Sequence, residues 1–182
     1  MVQPVLRPQT AVALGLVLAV VGGVLIQVWG GVGDVQSASS AAEFSDAAHS
    51  HGNQLRSASW ADILLFVPGY VLLGAGLFAL FYRASGAARW VRLTALVGVV
   101  AIVATALADE TENFIVRAGL GDVDLDVVGP SRTVSPSEGL INALQVAYYT
   151  KTGFLVLSLL VLVVLAAQSA PGLFARLRRG TP

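Results

Sequence analysis

The densest group of reactive side chains is the run Ala108-Asp109-Glu110-Thr111-Glu112-Asn113, which closes an uncharged stretch that begins at Leu93. On a helix, spacings of three and four place Asp109, Glu112 and Asn113 on one face and turn Glu110 elsewhere. The only lysine, Lys151, enters the last apolar stretch at about the same depth. A charge inside hydrocarbon costs about 2.5 to 3.5 kcal/mol even on the lenient insertion scale, so such residues usually face the bundle and find a partner. Two arrangements answer that cost. In one, Lys151 pairs with Asp109 or Glu112, with Asp62 as a further acid and Tyr148 beside the lysine, giving a polar cluster of Asp62, Asp109, Glu112, Asn113, Tyr148 and Lys151. In the other, the charged groups snorkel to the headgroups. The stripe Asn142, Gln145, Tyr149 and Thr152 runs along the opposite face of the last helix from Lys151, which weakens any picture of one lined pathway.

A second group, Glu43, Asp46, His49 and His51, contains ligand types for zinc or copper. Histidines two residues apart do not share a helical face, so a metal there requires extended chain; otherwise the four are solvated polar residues. Asp122, Asp124 and Asp126 imitate the opening of a calcium loop, but Val127 stands where glycine is required and Thr133 where the bidentate glutamate belongs. The absence of cysteine removes disulfides and thiol chemistry. No histidine lies within an apolar stretch, which excludes a haem held by two histidines in the membrane and an intramembrane Ser–His pair. No cofactor is expected.

The elements that position these groups follow from composition. Of 182 residues, 55% are apolar and 12% charged, against roughly 25% charged in a soluble domain. A bilayer explains both figures. Four stretches, at about 10–29, 60–82, 91–113 and 140–168, reach the roughly 20 residues needed to cross the hydrocarbon, the last two with their outer flanks included. The expected fold is an all-α integral membrane four-helix bundle forming one domain, with external loops at 30–59 and 114–139.

Charge orients it. Arg7, Arg83, Arg89, Arg92, Arg176, Arg178 and Arg179 lie in segments without a single acid, whereas all 11 acids lie in the alternating segments with Arg56, Arg117, Arg132 and Lys151. The positive-inside rule makes the arginine segments, and with them both termini, cytoplasmic in an inner membrane. Trp29, Trp60, Tyr82 and Trp90 fall at span ends, as interfacial anchors should. The first apolar run, about 20 residues, exceeds the 7 to 15 of a signal core, so an uncleaved anchor is expected.

Small residues must hold the helices together, because lipid removes the hydrophobic drive between them. Gly15, Ala19 and Gly23 offer such a face on the first helix and Thr94, Gly98, Ala101, Thr105 and Ala108 on the third, while the second carries Gly69, Gly74 and Gly76 beside Pro68. Pro68 is expected to kink the second. From Ala41 a surface helix can lead into that span. Ser135, Pro136 and Glu138 spell a capping box for the fourth helix, which Pro171 and Gly172 should end.

The D-x-x-E-N run at Asp109, Glu112 and Asn113, followed by Lys151 on the next helix, resembles a pattern in small, uncharacterised bacterial four-span proteins. The resemblance covers the last three helices and implies no particular activity. The leading functional expectation is a non-enzymatic membrane accessory or binding protein. Its partners would be the lipid bilayer and a membrane or extracytoplasmic protein, not nucleic acid. The alternatives are a small proton- or cation-coupled transporter using Asp109, Glu112 and Lys151, and, more distantly, a metal-dependent membrane enzyme.

Overall fold

The computed structural model describes residues 7–84, 89–122 and 136–179. Among these the chain is helical, in the order α1 (Pro8–Trp29), α2 (Val32–Gln36), α3 (Ala41–Ala61), a π-turn (Asp62–Phe66), α4 (Val67–Ala84), α5 (Arg89–Asp122) and α6 (Glu138–Arg179). Four continuous helical stretches are long and apolar enough to cross a membrane: Pro8–Trp29, Gln54–Arg83, Arg89–Leu120 and Glu138–Gln168. Their outward faces carry Leu14, Val17, Val24, Val100, Leu107 and Val163, each at least 42% exposed, which only a lipid environment tolerates. The protein is an all-α, multi-pass membrane bundle.

In the membrane part, α1 packs on α4, α4 on α5 and α5 on α6, while α1 and α6 at the two ends of this row barely meet. Contact between α1 and α4 is backbone to backbone. A Cβ on Gly15 would collide with the backbone of Gly69 and Leu73, and one on Gly69 with the backbone of Ala19. The face of α1 is Gly15, Ala19 and Gly22 rather than the expected Gly15, Ala19 and Gly23. Seven residues return to within about 20° of the starting direction, whereas eight over-rotate by about 80°. On α5 the buried stripe is Ala95, Gly98, Ala101, Ile102 and Thr105, with Gly98 closed over by the Phe78 ring.

The segment 30–59 is a folded cap, and the helix expected from Ala41 is its main element. Phe44, Ala48, Leu55 and Ala58 recur at helical spacing along α3 and are buried against Val32 and Val35 of α2, Val116 and Leu120 of α5, and Ile141 and Leu144 of α6. The same cap explains why α5 continues past the expected stop near residue 113: Val116 and Leu120 prolong its buried stripe and gain a water-driven core. Gly30 and Gly31 both adopt positive φ to reverse the chain into α2, and a side chain at Gly31 would strike His51. Gly52, also at positive φ, kinks α3.

Helix ends differ in detail from the expected pattern. Ser40 caps α3 by accepting from the Glu43 amide at 3.2 Å. The N-cap of α6 is Ser137, whose Oγ accepts from the Leu140 amide at 3.2 Å, so the helix starts two residues later than a cap at Ser135 would place it. Ser135 itself, like Asp124, Asp126, Val127, Ser131, Arg132 and Thr133, lies outside the described residues. At the other end α6 runs through Pro171 and Gly172 to Arg179. The expected kink at Pro68 takes the form of the π-turn just before it, closed by the Val67 amide on the Asp62 carbonyl. Proline cannot donate to the carbonyl four residues back, and a widened turn accommodates that missing bond.

Candidate functional site

At the junction of cap and membrane bundle, α5 brings Asp109, Glu112 and Asn113 inward on one face, all at most 4% exposed. Lys151 descends from α6 onto that face, with Nζ 3.1 Å from Asp109 Oδ1 and 2.6 Å from Glu112 Oε2. The lysine therefore bridges both acids instead of choosing one. It also lies 5.6 Å from the centroid of the Tyr148 ring. The stripe on the other side of α6 faces outward, with Tyr149 70% exposed.

Asp62 joins the cluster without touching the lysine. Its Oδ2 accepts from Asn113 Nδ2 at 2.9 Å, and Asn113 Oδ1 accepts from Gln36 Nε2 at 3.3 Å. Asp109 uses its second oxygen to accept from the Tyr70 hydroxyl at 2.9 Å. Two bonded polar groups thus lie side by side, Gln36, Asn113 and Asp62 in one and Tyr70, Asp109, Lys151 and Glu112 in the other. Tyr70 and Gln36 were not singled out from sequence. Tyr70 carried a usable signal, because a lone hydroxyl in the apolar run 63–81 must find a partner. Gln36 carried none, since its place depends on how α2 folds back.

The ledger of this cluster is uneven. Three buried carboxyl groups face one ammonium, and Glu112 Oε1, fully buried, has no hydrogen-bond partner among the described residues. The Lys151 contact to Oε2 is an ion pair lying off a hydrogen-bonding line. Beside the cluster opens a cavity of about 620 Å³. Asp62, Tyr70, Asp109 and Lys151 form its polar wall, Gly23, Ile26, Phe66 and Leu155 its apolar sides, and Val32 and Gln36 of α2 its roof. Asp62 and Phe66, at the two ends of the π-turn, and Tyr70, one turn further on in α4, all face this space.

Toward the arginine-rich end the polar cluster stops. Thr105 and Ser158, the buried hydroxyls next along α5 and α6, each donate to the carbonyl one turn back in their own helix, Ala101 and Phe154, both at 2.9 Å. Below them lie Phe78, Ala95, Ile102, Val161 and Leu165.

The other candidate group does not assemble. Because 41–51 is helical, Glu43, Asp46 and His49 follow one another at spacings of three while His51 turns away to the other side of the helix. Glu43 accepts from the Ser39 amide and hydroxyl, each at 2.7 Å, and these bonds hold its carboxyl below the usual value. His49 Nδ1 lies 2.7 Å from the Ser45 carbonyl, and His51 Nε2 lies 3.1 Å from Asp34 Oδ2. No three acids or histidines among the described residues converge on a point where a metal ion would fit. Compared with protein-family models, curated proteins and solved structures, the chain matches none of them.

Proposed function

We propose that this protein is a non-enzymatic binding protein of a bacterial inner membrane, which holds its ligand in the cavity beside Asp62, Asp109 and Lys151, with the cap on the extracytoplasmic side and both termini in the cytoplasm. The observation that carries this reading is a largely apolar pocket with one charged wall and no polar continuation through the bundle. Charged groups line it at the capped end, and beyond Thr105 the bundle interior offers no titratable side chain among the described residues to pass an ion onward. Orientation rests on the arginine segments, which hold seven arginines and no acid.

A second reading, a proton- or cation-coupled transporter, draws support from the same buried acids, since intramembrane carboxylates commonly mark ion paths. It lacks a continuation toward the arginine-rich end. Reconstitution in liposomes loaded with a pH-sensitive dye separates the two. No proton or cation flux above empty liposomes is expected, and a flux abolished by Glu112→Gln would replace the binding reading with transport. For orientation, a cysteine at Ser85 should be shielded from an impermeant reagent in intact cells while one at Ser131 reacts; the reverse pattern would invert the topology.

A further inference from the structure

The cavity has an opening as well as a polar wall. Since α1 and α6 barely meet, the row of helices is not closed into a ring, and the cavity lies between them with Gln27 and Leu155 exposed on facing rims. A molecule entering there comes sideways out of the bilayer, passes the apolar sides at Gly23, Ile26 and Leu155, and meets the acids last.

What it meets is surplus negative charge in a place closed to bulk water. Asp62 and Asp109, each 4% exposed, stand on the cavity wall, where Lys151 pairs with Asp109 and also with Glu112, which is fully buried outside the lining, so that Asp62 has no cation of its own among the described residues. Buried carboxylates call for paired charge or hydrogen-bond donors. A metal ion does not meet this need, because no three acids or histidines among the described residues group closely enough to hold one. An ammonium group does: it brings one positive charge and up to three donors to acceptors that are spread out. Phe66 and Tyr70, edge to face with ring centroids 5.5 Å apart, stand on the cavity wall where aromatic faces attract a cation and pack against an alkyl chain.

We propose that the cavity takes an amphiphile with a primary ammonium head and an alkyl tail, the ammonium set against Asp62 and Asp109 and the tail leaving between α1 and α6 into the bilayer. This names the ligand class of the binding reading and rests on it. A cavity of about 620 Å³ is ample for such a head and the first part of a chain. The same chemistry comes from two sources, a free long-chain amine or an aminolipid such as phosphatidylethanolamine.

The test is a titration of the full chain in nanodiscs with dodecylamine, dodecanol and dodecyl sulfate. Dodecylamine should bind about tenfold more tightly than dodecanol, as expected of a charge-assisted contact, and dodecyl sulfate more weakly than either. Asp62→Asn combined with Asp109→Asn should erase the preference for amine while dodecanol affinity stays. Leu155→Trp, at an exposed rim where folding is not at stake, should weaken amine and alcohol alike by narrowing the entrance. Equal affinity of the intact protein for amine and alcohol would overturn the proposal, showing that the surplus acids hold protons, and would leave the binding reading standing. No saturable binding of any of the three would overturn both. Lipid carried through purification assigns the source: enrichment of phosphatidylethanolamine over phosphatidylcholine supports the aminolipid, and an amine preference without such enrichment supports the free amine.

Discussion

The capped end and the arginine-rich half of the bundle are built by different forces. The cap buries large side chains: Phe44, Leu55, Leu120, Leu144, Val35 and Val116 are at most 2% exposed and touch one another. The membrane half instead brings backbones together at Gly15, Gly22 and Gly69, and leaves most of its valines and leucines on the outside. Where water surrounds the chain, burying a large apolar side chain is favourable by about 1.5 to 3 kcal/mol. Where lipid surrounds it, the same side chain gains little by turning inward, and close packing through small residues decides the contacts. The polar cluster lies where these two regimes meet, between the cap and the membrane helices.

The largest test of that boundary is Lys151→Met. Removing the lysine leaves Asp109 with Tyr70 but leaves Glu112 with no partner, and breaking a buried pair from one side costs about 3 to 5 kcal/mol. The second substitution sharpens this: Glu112→Gln should recover more of the loss than Asp109→Asn, read as thermal unfolding in detergent. Strict additivity of both double variants would return the lysine to the snorkelling arrangement.

Phe44→Ala should cost about 3 to 5 kcal/mol, yet confine its damage to the cap. Proteolysis within 30–59 should accelerate while membrane insertion and most of the helical circular dichroism persist. If the membrane helices separate as well, the two regions are one cooperative unit and the contrast fails.

Gly69→Leu acts on the other side. A side chain there meets the Ala19 backbone, so α1 must retreat from α4 at a cost of about 1 to 3 kcal/mol. Gly153→Leu serves as the control, because nothing lies within 4 Å of a Cβ at that position. A crosslink between cysteines at positions 12 and 76, whose residues meet in the native protein, should form in the control and fade in Gly69→Leu.

The smallest effect belongs to Glu43. Its pKa is lowered from 4.5 by the Ser39 amide and hydroxyl, so its contribution to cap stability is present above that ordinary value and is lost as pH falls through the lowered one. Glu43→Gln should therefore unfold slightly more easily than the unaltered protein at pH 7 and identically well below pH 4.5. A difference that persists in strong acid would mean that the charge of Glu43 is not what holds Ser39.

The sequence by itself determined the class of fold and the company of residues at the site. Unbroken apolar length must form helices in a bilayer, since the backbone has no water to bond there, and helical spacing alone sets Asp109, Glu112 and Asn113 side by side. Those are properties of one helix at a time, legible without neighbours. Tertiary structure decided what no single helix contains: that Lys151 bridges two acids, that Asp62 answers Asn113 instead of the lysine, that Tyr70 and Gln36 complete the cluster, and that 30–59 folds into a cap. Each depends on the rotation of one helix about its axis relative to another. The small-residue contacts and the π-turn before Pro68 set those rotations, and a shift of one residue at either, such as Gly22 for Gly23, turns a side chain by about 100°.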